Sequence, residues 1–122
     1  MITYKILEQE GIVIIEPASP LKQSDFEALT KDVDDYIKQK GMIKGVIIYT
    51  VSFPMWDNPG AFIKDMKFVI EHQRKIKRVA SVTNSKLFMI VHRMARHLLF
   101  PKIKHFYYGD IEEAKKWILE DR

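Results

Sequence analysis

The stretch Arg78-Val79-Ala80-Ser81-Val82-Thr83, followed by Asn84-Ser85 and then Lys86 to Phe100, decides the fold. After Arg78 this strand is small and largely apolar, as a sheet interior requires. Asn84-Ser85 is a turn signal. The next fifteen positions read as a helix rich in large apolar residues: Leu87, Phe88, Met89, Ile90, Val91, Met94, Leu98, Leu99 and Phe100. Every charge on it after Lys86 is basic, with Arg93 and Arg96 beside His92 and His97. A buried strand feeding a helix through a short turn is half of a βαβ unit, so the flanking sequence decides whether a parallel sheet is built.

It does. Upstream, Val46-Ile47-Ile48-Tyr49-Thr50-Val51 is apolar on both faces and predicts a second central strand. A loop with Pro54 and Pro59 follows, then a helix from about Gly60 to Arg74. Downstream, Pro101 stops the basic helix. Lys102 to Tyr108 alternates and predicts an edge strand, its lysines discouraging edge-to-edge association. Gly109-Asp110 turns the chain into a last helix, with Asp110 as its cap and Ile111, Ala114, Trp117 and Ile118 inward. At the N-terminal side, Tyr4 to Glu8 and Ile12 to Ile15 flank Glu10-Gly11 and predict an antiparallel hairpin. Ser24-Asp25-Phe26-Glu27 matches a capping box. Phe26, Leu29, Val33, Tyr36 and Ile37 then recur at helical spacing, and Lys38, Lys40 and Gly41 supply a basic last turn and C-cap. The predicted order is β-β-α-β-α-β-α-β-α: one α/β domain over residues 1–122, a single mixed, mostly parallel five-stranded sheet flanked by four helices with right-handed crossovers.

The chain of 122 residues is 47% apolar and 30% charged, ordinary globular values. No apolar run reaches the roughly 18 residues of a spanning helix, and the alternating, charged N-terminus does not read as a signal peptide. The absence of cysteine excludes disulfides, thiolate metal sites and cysteine nucleophiles, and fits a cytoplasmic protein. Net charge is +4, but unevenly spread: residues 64–105 hold eleven Lys and Arg against Asp65 and Glu71. Such a patch attracts anionic surfaces.

The element order resembles the STAS fold, and more narrowly the SpoIIAA-like proteins, over essentially the whole chain. The resemblance is carried by Ile76-Lys77-Arg78-Val79-Ala80-Ser81-Val82, the basic apolar helix, the Pro101 break, Ile103-Lys104-His105-Phe106, and the closing Glu112-Glu113-Ala114-Lys115-Lys116-Trp117-Ile118. It implies a generally non-catalytic domain that regulates through protein contacts or binds an apolar ligand or membrane surface. Regulatory STAS proteins are phosphorylated on a serine in an Asp-Ser-x-Gly-like turn after the third strand. Here that turn reads Tyr49-Thr50-Val51-Ser52-Phe53-Pro54, without the Asp and Gly, so Ser52 does not inherit that role.

Two candidate surfaces stand out. On the 86–100 helix, Leu87, Ile90, Val91, Met94 and Leu98 form one stripe, while Arg93 and Arg96 lie opposite with Met89 and Phe100 among them. A core helix with a solvated basic back accounts for most of this. The two apolar residues on the basic face instead suit a membrane or partner surface formed by Met89, Arg93, Arg96 and Phe100. The second is the loop Phe53-Pro54-Met55-Trp56, which is apolar for a connection. It either folds over the sheet end or walls an apolar ligand site with Trp56, Phe62, Met66, Leu87, Phe88 and Val91, beyond the carboxyl ends of the strands. The primary expectation is therefore a non-catalytic domain for an apolar or lipid-like ligand. It would associate peripherally with an anionic membrane at its inner face, and could form a homodimer. The alternative is a protein–protein interaction module of the anti-sigma-factor-antagonist type.

Other chemistry has less to rest on. His92 and His97 are five apart, poor spacing for a shared metal, so neither metal nor cofactor is expected. Adjacent acids such as Asp34-Asp35 and Glu112-Glu113 read as solvated faces, and Asp57 has no visible partner for acid–base work. No Gly-rich phosphate loop or serine elbow is present. The small net charge and absence of a known module argue against nucleic acid.

Overall fold

A computed structural model describes residues 2–17, 23–50, 71–84 and 102–120. It contains one five-stranded sheet in the order β1-β2-β3-β4-β5, with β1 Ile2–Leu7, β2 Ile12–Pro17, β3 Ile43–Tyr49, β4 Ile76–Val82 and β5 Lys102–Phe106. The hairpin β1–β2 is antiparallel and pairs Leu7 with Ile12, and every later pairing is parallel. Spatial order equals chain order, so β1 and β5 are the edges, as the lysines of β5 predict.

The described helices are α1, Gln23–Lys40, and α2, Ile111–Leu119. Residues 71–72 are helical and run into the 3-10 turn Gln73–Lys75, which tightens the end of the helix predicted to reach Arg74. The rest of that helix and the whole 86–100 helix lie outside the described residues.

Several boundaries differ from the sequence expectations. β3 starts at Ile43 rather than Val46 and ends at Tyr49 rather than Val51, because Ile43 pairs with Ile76 at the near end of the ladder. β4 likewise starts at Ile76, and β5 stops at Phe106, since Tyr108 enters a 3-10 turn. Helix α1 already includes Ser24, so that residue sits within the first turn instead of ahead of it. Asp110 occupies the N-cap position of α2, yet its side chain makes no capping hydrogen bond.

The sheet is buried on both faces. On one, Leu29, Val33 and Tyr36 of α1 pack on Val13, Ile15, Val46 and Val79. On the other, Ala114 and Ile118 of α2 pack on Ile12, Ile14, Ile47, Ala80 and Val82. Adjacent residues of β2 thus serve opposite cores, which is why a continuous apolar run was needed. Full burial of each such aliphatic side chain contributes on the order of 1.5–3 kcal/mol.

Two glycines set the geometry. Gly11 closes the hairpin with φ +72°, and its carbonyl accepts from the N–H of Lys44 at 2.8 Å. The Tyr36 hydroxyl donates to the Glu8 carbonyl at 2.9 Å, tying this turn to α1. Gly45 has a different task. A Cβ there would lie 2.5 Å from Ile118 Cγ2 and 2.7 Å from both Cγ1 and Cδ1, so α2 seats on bare backbone of β3. One strand over, Arg78 is buried. Its guanidinium donates to the Trp117 carbonyl, lies 5.3 Å from the Trp117 ring centroid and 3.9 Å from the Glu120 carboxylate. A buried cation requires such partners, and it sits at the negative end of the α2 dipole.

Candidate binding surface at the carboxyl edge of the sheet

Four parallel strands end on the same side, and the ladder runs one residue past the ends of β3 and β4. The Thr50 N–H donates to Val82 O at 3.1 Å and the Thr83 N–H to Phe106 O at 3.0 Å. The rim beyond is polar and aromatic. The Tyr108 N–H donates to the Asn84 side-chain oxygen at 3.0 Å, which joins the exit of β4 to the exit of β5. The Tyr49 and Tyr108 rings stack at 4.4 Å and 4°. Tyr107 meets His105 edge-on at 5.6 Å and is 64% exposed.

The electrostatics follow from these contacts. The hydrogen bond that the Tyr49 hydroxyl donates to Tyr108, then desolvation and the nearby Tyr108 and Glu16 charges, push the Tyr49 phenol up to about 12. Tyr49 is therefore a neutral hydroxyl at physiological pH, able to donate and accept but not to act as a base. His105 Nε2 lies 2.8 Å from the Thr83 carbonyl, which can only accept, so this nitrogen carries the proton. Ser81 and Thr83 are buried and hydrogen-bonded or otherwise engaged, so their hydroxyls are not presented as nucleophiles. Phenol, amide and ring faces on a rim are groups that recognise by stacking and hydrogen bonding.

Trp56, Phe62, Met66, Leu87, Phe88 and Val91, and the surface set Met89, Arg93, Arg96 and Phe100, lie outside the described residues, as do Ser52, Asp57, His92 and His97. The two described ends of those segments, Thr50 and Asn84, emerge at this rim. The two described histidines are held elsewhere than in a metal site, His72 against Asp34 at 2.9 Å and His105 on the Thr83 carbonyl. Among the described residues no group of three or more His, Asp or Glu could hold a metal ion, and no helix is long and apolar enough to cross a membrane.

Sequence reasoning missed Tyr49, Asn84, Tyr107 and Tyr108 as surface residues. A signal existed: Phe106-Tyr107-Tyr108 ahead of Gly109-Asp110 places consecutive aromatics where a strand must end, and only the first can remain in the alternating pattern.

A mixed sheet with one antiparallel hairpin, four parallel strands and helices on both faces defines an α/β domain of the STAS type. The chain belongs to the SpoIIAA-like family, whose sequence model matches residues 12–119. No curated protein and no solved structure matches it.

Proposed function

We propose that this chain is a non-catalytic, regulatory protein–protein interaction module of the anti-sigma-factor-antagonist type, and that it engages its partner through the carboxyl edge of the sheet. The observation that carries this reading is family membership across residues 12–119, in a family whose domains are generally non-catalytic. The rim supports it further. Tyr107 is exposed beside His105, the stacked Tyr49–Tyr108 pair adjoins it, and Asn84 fixes the backbone between them. Exposed tyrosine on a rigid frame is a common anchor of protein interfaces.

The competing reading is an apolar or lipid-like ligand and an anionic membrane surface. It rests on Trp56, Phe62, Met66, Leu87, Phe88 and Val91, and on Met89, Arg93, Arg96 and Phe100, outside the described residues.

The test compares two readouts on the same purified protein. Affinity capture from the source cells, with wild type against Tyr107→Ala, is expected to retain one specific protein that the variant loses at least tenfold. Flotation with anionic vesicles at low salt is expected to retain neither. Vesicle binding by both, with no protein lost on substitution, would overturn the interaction-module reading in favour of the membrane one.

A further inference from the structure

The geometry points to the outer edge of β1 as a seam between two copies of this chain, paired antiparallel about a two-fold axis at Tyr4. β1 hydrogen-bonds to β2 on its inner side, and among the described residues nothing pairs with its outer side. Such an edge is a template for another strand unless it is blunted. β5 is blunted by two exposed lysines, Lys102 and Lys104. β1 has no proline within Ile2–Leu7, and a single charge, Lys5.

The strand is also self-complementary. Ile2, Tyr4 and Ile6 are half-buried and lean on the α1 core, while Thr3 and Lys5 are exposed on the opposite face. Two copies must pair so that like faces meet, because a one-residue slip exchanges them. Two registers do this and pair five of the six strand residues. With Lys5 on the axis, two ammonium groups oppose each other. With Tyr4 on the axis, Ile2 faces the second copy's Ile6, Tyr4 faces its own equivalent, and Thr3 faces Lys5. That register extends an apolar row across both subunits and sets no like charges opposite, which selects a second copy as the occupant. The pairing is isologous, as closed dimers require.

Sedimentation equilibrium on the intact chain tests the seam. The wild type is expected to dimerise. Thr3→Lys places a lysine opposite Lys5 at both symmetry-related positions, and should weaken the dimer by roughly two- to thirty-fold. Within each subunit Thr3 faces Glu16, so this lysine has an acid beside it and the fold is retained. Adding Lys5→Glu to Thr3→Lys converts both repulsions into attractions and should restore the dimer. Because the chain has no cysteine, single thiols report the register. A mixture of Thr3→Cys and Lys5→Cys proteins should form a mixed disulfide, and neither should cross-link alone across the longer diagonal. A monomer at every concentration, a dimer indifferent to Thr3→Lys, or the absence of the mixed disulfide would each overturn the seam.

Discussion

Replacing Gly45 with alanine probes the close seating of α2 on β3. The new Cβ would stand 2.5 Å from Ile118 Cγ2, where ordinary contact begins near 3.4 Å, so something must move by about 0.9 Å. The two γ carbons of Ile118 cannot swing clear together, because β-branching leaves few rotamers open on a helix. The displacement must therefore pass to α2 itself. Overpacking of this kind costs about 1–3 kcal/mol, and alanine returns about 0.4–1 kcal/mol by restricting the unfolded chain. A net loss of about 1–2 kcal/mol follows, which lowers the midpoint of a domain this size by roughly 4–8 °C. Ile118→Ala alone should cost about 2–5 kcal/mol by leaving a cavity. The pair is the decisive variant, since the alanine at 45 then occupies space vacated at 118. Urea unfolding followed by far-ultraviolet circular dichroism should show the double variant at least about 1 kcal/mol more stable than the sum of the singles predicts. Additivity within about 0.5 kcal/mol, the behaviour of independent sites, would refute the seating of α2 on Gly45.

Arg78→Ala should cost about 2–4 kcal/mol, because it strips the Trp117 carbonyl and ring of a buried partner; Glu120→Gln, at the half-exposed end of the same contact, should cost under about 1 kcal/mol in the same unfolding assay. Tyr36→Phe removes the hydroxyl that holds the Glu8 carbonyl and should lower stability by about 0.5–1.5 kcal/mol. Tyr49 should titrate at about 12 in a phenolate absorbance titration, and Tyr108→Phe should bring it back toward the ordinary 10.0. The folded-state value is raised, so this contact stabilises fully below pH 10 and its contribution disappears as pH rises from 10 to about 12.

The sheet was legible in the sequence because its inner strands are buried on both faces. Ile12 to Ile15 and Val46 to Ile48 are continuous apolar runs, and Val79 to Val82 is broken only by the small Ser81; such runs fit a two-sided core. The hairpin and α1 were legible through Gly11, Gly41 and the helical spacing of Leu29, Val33 and Tyr36. What pattern could not supply was contact across the sheet. Gly45 lay outside the strand predicted to start at Val46, and only the position of Ile118 gives it a purpose. Arg78 read as one more member of a basic cluster, whereas it is buried against Trp117, so the cluster overstates the basic surface. The rim was missed for a related reason: Tyr49 and Tyr108 are fifty-nine positions apart, and no local rule announces that their rings stack. The helix over 86–100 and the loop at Trp56 drew attention by composition alone, and the lipid reading depends on them.

The central claim, that the carboxyl rim is a protein-docking surface, is tested most directly by placing a photo-crosslinking residue at Tyr107 and irradiating the protein in its own cells. The account predicts one discrete protein adduct, absent when the same group is placed at the exposed Lys116 on the far side of α2. Adducts confined to lipid, or the same protein captured equally from both positions, would contradict it.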